Sequence, residues 1–219
     1  PNTKGEPTAK CLIFVTPDAQ RSMNTFLGAS TELRPSDISK DFIGRSKILY
    51  LEGYLWDPPN AKKAFLEAIN IAKAADTKVA LSLSDAFCVD RYRSEFLDLV
   101  RTHVDILFGN EIELLSLYQV ENLNEAIGLV QDDCEIVAVT RDSRGSIVIK
   151  NRRVFEIAAQ KIDTVIDTTG AGDLYASGFL YGITRDMDIR QCGKLGGLVA
   201  SSIITQFGAR PEESLSLIH

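Results

Sequence analysis

The feature that most constrains this chain is the heptapeptide Asp-Thr-Thr-Gly-Ala-Gly-Asp at residues 167–173, called here the glycine loop. Its small residues Gly170, Ala171 and Gly172 allow backbone N–H groups to approach a ligand without a Cβ clash. The apolar segment from Leu174 to Gly182 has the composition of a helix. The N–H groups of the loop therefore lie at a helix N-terminus, where unpaired donors and the helix dipole favour anions, and phosphate above all.

Asp173 ends the glycine loop with a negative charge, which is unexpected in a pocket suited to anions. Because a carboxylate repels phosphate, its presence there suggests a chemical task. The simplest task is that of a general base, which takes a proton from a hydroxyl that then attacks the phosphorus. The structural alternative is that Asp167 or Asp173 only caps the helix, since aspartate is a common N-cap residue and a short glycine-rich motif is a weak signal by itself.

The rest of the sequence alternates short apolar strands with helical segments. Strands are predicted at residues 11–16, 21–26, 47–51, 79–83, 105–108, 135–140, 146–150 and 154–157. Helices are predicted at residues 59–75, 90–102, 111–118, 122–131, 171–184 and 188–206. This order is typical of an α/β fold in which helices cover both faces of a mainly parallel sheet. We expect a hairpin region at residues 1–30, with a turn at residues 17–20, and a core at residues 31–219.

Charge and residue usage exclude several classes of function. The net charge of −6 opposes nucleic acid or an anionic membrane as the main partner, and no apolar run approaches the length of a membrane span. Only two histidines are present, which argues against a histidine-rich metal site or a Ser-His-Asp triad. The four cysteines form no Cys-x-x-Cys pair and are predicted to be reduced thiols of a cytosolic protein; they are Cys11, Cys88, Cys134 and Cys192.

Together with Ser177-Gly178-Phe179-Leu180, the glycine loop resembles the second signature of the ribokinase-like family, which includes ribokinase, adenosine kinase, fructokinase and the phosphofructokinase B type. The resemblance implies a ribokinase-like α/β fold with a small β lid hairpin. It also implies an ATP- and Mg²⁺-dependent phosphotransferase. By this resemblance Asp173 is the catalytic base, and Gly170, Ala171 and Gly172 form an anion hole for the transferred phosphoryl group.

A second candidate constellation is Asn110 and Glu113, directly after the strand predicted at residues 105–108. It resembles the family's Asn-x-x-Glu motif, which orients phosphate and the hydrated Mg²⁺. One glutamate acting partly through water is chemically sufficient, because Mg²⁺ keeps several waters. The alternative is a helix cap in which Asn110 is the N-cap and Glu113 its capping-box partner. The two roles are compatible.

A third constellation follows the strand predicted at residues 135–140. The family usually carries Thr-x-Gly-x-x-Gly there, which touches the ATP phosphates and ribose. This chain keeps Thr140 and Gly145 but has Asp142 in place of the first glycine, and its Arg141 and Arg144 add positive charge suited to phosphate. The alternative is a hairpin turn with solvated arginines.

Three further residues carry weaker signals by resemblance. Arg21, just after the predicted hairpin turn, resembles a phosphate-contacting residue, and the alternative is a solvated surface arginine. Gly208 belongs to a Gly-Ala pair that recurs in the family near the adenine pocket, although a helix C-cap explains it equally well. Asp167 matches an aspartate that in ribokinase helps to form a monovalent-cation site, which adds a cation such as K⁺ to the expected cofactors.

The sequence thus predicts phosphorylation of a primary hydroxyl on a sugar or nucleoside. Similarity of Gly53-Tyr54 and of residues 81–91 to bacterial adenosine and sugar kinases favours adenosine, with a fructokinase-type enzyme as the alternative. The resemblance covers only the C-terminal two thirds of the family pattern, and the Gly-Gly-Asn substrate motif is not found. A truncated, non-catalytic nucleotide-binding fragment is therefore the alternative of another class. We expect a cytoplasmic protein with no nucleic-acid or membrane partner, and a homodimer is one of its possible states.

Overall fold

The computed structural model describes residues 5–212 and 214–215 and shows an α/β fold. The sequence positions Pro1 and His219 lie outside the described residues. The strands are β1 (Lys10–Val15), β2 (Arg21–Phe26), β3 (Ile48–Glu52), β4 (Lys78–Ser82), β5 (Ile106–Asn110), β6 (Ile136–Thr140), β7 (Ser146–Lys150) and β8 (Arg153–Ile157). The helices are α1 (Lys40–Gly44), α2 (Pro59–Ala74), α3 (Ala86–Arg91), α4 (Arg93–Thr102), α5 (Glu111–Tyr118), α6 (Leu123–Asp133), α7 (Ala171–Thr184) and α8 (Ile189–Ile203).

Six strands form one sheet in the order β3-β4-β5-β6-β7-β8, and β1 and β2 form a separate hairpin. The β3–β4 and β4–β5 pairs are parallel, with Leu49 opposite Val79 and Ala80 opposite Ile106. Only two residues, Asn151 and Arg152, connect β7 to β8, and their φ angles of 50° and 61° are those of a tight hairpin turn. The predicted sheet and the predicted N-terminal hairpin are confirmed.

The strands of the large sheet differ from the hairpin in burial. The first three residues of β5 and the first four of β6 are buried, as expected where helices cover both faces of a parallel sheet. In the hairpin, every residue of β2 is exposed. Among the described helices none is long and apolar enough to cross a lipid bilayer.

The chain divides into two compact units. Unit 1 consists of residues 1–9, 27–139 and 149–153, and unit 2 consists of residues 10–26, 140–148 and 154–219. Unit 1 contains β3, β4 and β5 with helices α1 to α6, and unit 2 contains the hairpin, α7 and α8. The boundary that the sequence suggested near residue 30 stays a prediction.

One predicted helix is wrong in its extent. The segment predicted as a single helix at residues 90–102 forms two helices, α3 and α4, which meet at Tyr92. Tyr92 has φ −120° and ψ 27°, outside the helical region, and Asp85 starts α3 by accepting a hydrogen bond from the Phe87 N–H at 2.7 Å. The apolar periodicity continues across the break, so the pattern alone could not reveal it.

Candidate active site

The glycine loop leads directly into α7, which begins at Ala171 and ends at Thr184, the bounds that the sequence predicted. Gly170 is the N-cap and has a φ of 80°, a conformation that other residues rarely adopt. A Cβ at Gly170 would lie 2.9 Å from the Cβ of Ala209. The loop therefore requires glycine at this position both for its backbone and for its packing.

No side chain of the described residues caps the N-terminus of α7. Gly170 offers no side chain, so the interpretation of Asp167 or Asp173 as the N-cap of this helix is wrong. The Leu174 N–H makes the first i→i−4 hydrogen bond of the helix, to the Gly170 carbonyl at 2.9 Å. The Ala171 N–H is directed inward to the Thr168 carbonyl at 3.2 Å. The amides of Gly172 and Asp173 thus stand in the first turn, where helices bind anions.

Asp173 lies in the first turn of α7 with an exposed side chain. Although it reaches the surface, neighbouring protein atoms withdraw its carboxyl from water and raise its pKa above the ordinary value. The positive charge of Arg21 acts in the opposite direction. A carboxylate with a raised pKa is a better proton acceptor than an ordinary aspartate, which is the property that a general base needs.

Asp167, at the other end of the glycine loop, is buried, with 2% of its surface exposed. Its Oδ1 accepts hydrogen bonds from the Thr169 N–H at 2.9 Å and the Thr169 hydroxyl at 2.6 Å. Its Oδ2 accepts the Gly208 N–H at 2.9 Å. Burial opposes ionisation, but these donors and Arg21 outweigh it and lower the pKa of Asp167.

Arg21 links the hairpin to the glycine loop within unit 2. Its Nη1 donates to the Thr168 hydroxyl at 3.0 Å, and its charge reaches both Asp167 and Asp173. The side chain is exposed, so it stays open to a ligand. The structure thus brings together Arg21, Asp167, Asp173 and Gly208 from three separate parts of the sequence.

Thr140 and Gly145 flank a tight turn between β6 and β7. The Arg141 N–H donates to the Gly145 carbonyl at 2.8 Å, and the Gly145 N–H donates to the Asp142 carbonyl at 3.0 Å. Asp142 has a φ of 51°, so it adopts the left-handed conformation expected of the glycine that it replaces. At Gly145 a Cβ would lie 2.0 Å from the Ile157 carbonyl oxygen. Protein packing alone therefore accounts for this glycine.

Arg141 is the most buried cation of this turn. Its side chain is 13% exposed and lies 3.7 Å from the Glu156 carboxylate. Its Nε is buried and has no hydrogen-bond partner among the described residues. An unpaired buried donor is costly, so this atom is a natural place for an acceptor brought by a ligand.

In unit 1, Asn110 and Glu113 form the capping box that their spacing predicted. The Glu113 N–H donates to the Asn110 side-chain oxygen at 2.8 Å, and the Glu113 carboxylate accepts the Asn110 N–H and the Asn110 amide nitrogen, each at 2.9 Å. Glu113 is 7% exposed. The pKa of Glu113 is raised to about 7, first by burial and then by the charges of Asp85 and Glu52, against the lowering effect of the Asn110 N–H.

The metal role of this pair fits a hydrated ion better than a bare one. Both Glu113 oxygens already accept hydrogen bonds from Asn110. Among the described residues, no group of three or more His, Cys, Asp or Glu side chains could hold a metal ion. Mg²⁺ keeps several of its waters, so a carboxylate that binds through water suits it. The residues present therefore fit Mg²⁺ only through its water shell.

Sequence reasoning missed two features. Glu52 is the last residue of β3, and Ser84 lies two residues after the end of β4. The Ser84 hydroxyl donates to the Glu52 carboxylate at 2.7 Å, and Ser84 has a φ of 67°. The signal available was a polar residue at the end of each strand, where ligands of parallel sheets bind. The second feature is a cleft of about 440 Å³ in unit 2; its lining is Lys161, Ile162, Asp163, Thr164, Ile166, Ser201, Ser202 and Thr205.

Comparison with known proteins finds both a family and close structural relatives. Residues 1–215 match the model of the pfkB family carbohydrate kinases. Adenosine kinase from Sinorhizobium meliloti is 50% identical with a TM-score of 0.95, over 98% of this chain and 66% of that one. A probable sugar kinase protein from Rhizobium etli CFN 42 is 51% identical with a TM-score of 0.94, over 97% and 64% of the two chains.

A third relative is named neither as an adenosine kinase nor simply as a sugar kinase. The 5-dehydro-2-deoxygluconokinase of Listeria monocytogenes serovar 1/2a is 31% identical over 185 residues, which are 81% of this chain and 57% of the relative. This chain therefore spans less than two thirds of the length of each of these three proteins. The ribokinase-like α/β fold that the sequence predicted is confirmed.

Proposed function

This chain belongs to the pfkB family of carbohydrate kinases, and from that premise we propose that its protein transfers the γ-phosphoryl group of ATP to a primary hydroxyl of a nucleoside or sugar. One observation carries the proposal. The N-terminus of α7 is capped by a glycine instead of a side chain, and Asp173 stands in its first turn with a raised pKa. Anion-binding donors and a proton acceptor are thus combined in one loop.

In the proposed reaction Asp173 removes the proton from the acceptor hydroxyl. The hydroxyl oxygen forms a bond to the γ-phosphorus, the bond between that phosphorus and the β–γ bridging oxygen breaks, and ADP leaves. The first-turn amides of α7, at Gly172 and Asp173, stabilise the charge on the transferred group. Arg21, which the Thr168 hydroxyl holds beside the loop, positions the phosphates.

The cleft of unit 2 is the proposed place for the nucleoside part of ATP. It is an open groove of about 440 Å³, and its lining includes Ile166, directly before the glycine loop. The Ile166 N–H donates to the Ile204 carbonyl at 2.8 Å, which joins the two walls of the cleft directly before the glycine loop. Thr140 and Gly145 in the turn after β6, and Gly208, are proposed to contact the nucleotide, with the buried Arg141 Nε as an additional donor.

Asn110 and Glu113 are proposed to orient Mg²⁺ through its bound waters. When bound, Mg²⁺ neutralises charge on the phosphates of ATP. The protein supplies a carboxylate that the Asn110 amide and N–H hold in one orientation. Glu113→Gln should therefore raise the Mg²⁺ concentration needed for half-maximal rate, while Glu125→Gln, at an exposed position on α6, should leave it unchanged.

A nucleoside acceptor, and adenosine in particular, is favoured over a hexose. Tyr54 and Phe87 are among the exposed aromatic side chains described in unit 1, at 56% and 81%. Their segments are joined by a contact of 3.4 Å between the Cys88 thiol and the Gly53 carbonyl. Exposed aromatic faces suit the stacking of a purine base. Sequence identity is similar for an adenosine kinase, at 50%, and a probable sugar kinase, at 51%, so the choice of adenosine rests on the aromatic side chains.

The test measures ADP release by the protein as its gene encodes it. Adenosine, fructose and 5-dehydro-2-deoxygluconate are offered separately with ATP and Mg²⁺, and we expect adenosine to give the highest kcat/KM. Turnover of a sugar alone would reject the nucleoside assignment and favour the fructokinase-type alternative. No turnover of any acceptor, with ATP still bound, would favour a non-catalytic nucleotide-binding protein.

A further inference from the structure

Asp167 makes three hydrogen bonds, one of which joins the glycine loop to a distant segment. Two of them, from the N–H and hydroxyl of Thr169, stay within the loop. The third comes from the N–H of Gly208, which lies 41 residues further along the chain. Because the carboxylate is buried, loss of any of these bonds would leave a buried donor unpaired.

Packing around Asp167 supports the same connection. The amides of Ile166 and Asp167 lie 2.8 Å and 3.4 Å from the Ile204 carbonyl. Beyond them, Gly170 packs so closely on Ala209 that a single added carbon would clash. The loop is therefore held against residues 204–209 at both of its ends, and Asp167 supplies the polar part of this contact.

The carboxylate of Asp167 has little capacity left for a cation. An ionised carboxylate offers about four acceptor sites, and three of them are already taken by donors of the protein, two on Oδ1 and one on Oδ2. A cation at this carboxylate would have a single remaining acceptor site and would compete with those donors for the charge. The residues present thus fit a monovalent-cation site that uses Asp167 as a ligand poorly.

We propose that Asp167 is a positioning residue, a hydrogen-bonded latch that holds the glycine loop against residues 204–209 without a monovalent cation. The inference rests on the proposed function, because the loop is argued to bind the transferred phosphoryl group. The latch fixes the direction of the first-turn amides of α7 before ATP arrives. Such preorganisation affects the chemical step more than acceptor binding, because phosphoryl transfer depends on positioning.

The first test is Asp167→Asn, followed by amide hydrogen exchange and by steady-state kinetics. An amide side chain cannot accept from both Thr169 and Gly208 with the same geometry, because its nitrogen is a donor. We expect exchange at the Thr169 and Gly208 amides to quicken at least about tenfold, and kcat to fall by a similar factor, the effect of losing a hydrogen bond to a charged group. The KM for the acceptor should change less than twofold. Asp98→Asn, at an exposed position on α4, is the matched control and should change neither readout.

A second pair of variants protects the test against misfolding. Thr169→Ser keeps the hydroxyl that donates to Asp167, whereas Thr169→Val removes it and retains the branched shape. We expect Ser to keep wild-type exchange and kcat, and Val to reproduce part of the Asp167→Asn effect. Equal behaviour of Ser and Val, or unchanged amide exchange at Gly208 in Asp167→Asn, would overturn the latch.

A third test asks whether a monovalent cation is needed and uses the wild-type protein. Amide exchange and kcat should be the same in K⁺, Na⁺ and choline salts at equal ionic strength. A requirement for K⁺ in either readout would overturn the proposal. If no acceptor is phosphorylated, the proposed function fails, but hydrogen exchange at Thr169 and Gly208 still decides whether the latch exists.

Discussion

Two helix N-termini of this molecule, those of α7 and α5, use carboxylates in opposite ways. At α5 the Asn110 side chain caps the helix and Glu113 returns its carboxylate to Asn110, so the donors are satisfied within the protein. At α7 the N-cap is Gly170, no side chain in the described part of the chain caps the helix, and Asp173 is exposed. The N-terminus of α5, called here the closed terminus, has its donors satisfied by its own side chains and is poorly suited to bind phosphate. The N-terminus of α7, called here the open terminus, is capped by glycine and can bind phosphate directly.

The comparison also explains why an Asn-x-x-Glu spacing is not sufficient evidence for a metal site. The same spacing occurs at Asn122 and Glu125, where the Asn122 side chain caps α6 by accepting the Glu125 N–H at 3.0 Å. Glu125 is exposed, whereas Glu113 is buried beside Asp85 and Glu52. Burial and charged neighbours, which the spacing does not encode, separate a plain cap from a candidate functional carboxylate.

The largest expected effect comes from removing the charge at the open terminus. Asp173→Asn should lower kcat by at least about 10²-fold, the low end for loss of a positioned general base. ATP affinity should stay the same or improve, because a negative charge leaves an anion site. Asp186→Asn, at an exposed position just after the other end of α7, is the control. Near-normal kcat in Asp173→Asn would reduce the open terminus to an anion site without a base.

The next effect separates the two glycines of the open terminus. Gly170→Ala should lower the free energy of unfolding by about 1–3 kcal/mol, the usual cost of a strained backbone, because φ is 80° and the new carbon meets Ala209. Gly172→Ala should not destabilise the protein, since no described atom lies within 4 Å of its Cβ position. It should nevertheless raise the KM for ATP if phosphate approaches that amide. Wild-type kinetics in Gly172→Ala would show that no ligand comes close there.

These two regions also show what the sequence could reveal. The start of α7 and the capping box of α5 were predicted because each is encoded by residues within a few positions of one another. The contact of Asp167 with Gly208 and that of Ser84 with Glu52 were not, since their partners are 41 and 32 residues apart. Only folding brings such residues together, and no local sequence pattern predicts these contacts.

The third effect concerns the buried carboxylate of the closed terminus. The pKa of Glu113 rises from 4.5 to about 7 on folding, so between these values the native state binds the extra proton. The contribution of Glu113 to the unfolding free energy should therefore be fully present below pH 4.5 and fall by about 2–3 kcal/mol as pH rises to 7. Glu113→Gln should remove this decline, and Glu125→Gln should retain it. The measurement is urea unfolding at several pH values with a chelator present. An identical decline of the unfolding free energy in Glu113→Gln would mean that folding does not raise the pKa of Glu113.

The smallest effect is expected at Arg21, which serves the open terminus from a separate part of the chain. Its bond to Thr168 is exposed, so Arg21→Ala should change the unfolding free energy by less than about 0.5 kcal/mol. The KM for ATP should rise about three- to tenfold, because a charged donor to phosphate is lost. Arg93→Ala, at an exposed position on α4, is the matched control.

The pH dependence of the same variant distinguishes a site residue from a surface arginine. The Arg21 charge holds the pKa of Asp173 below the value that burial alone would give. A general base acts only when ionised, so the rate rises with pH through that pKa. Removing Arg21 raises the pKa of Asp173, and the acid limb of the kcat/KM profile should therefore move to higher pH. A higher KM for ATP without any movement of the acid limb would mean that Arg21 contacts the nucleotide but does not affect the pKa of Asp173. If neither the KM for ATP nor the acid limb changes, Arg21 of the hairpin has no role at the open terminus.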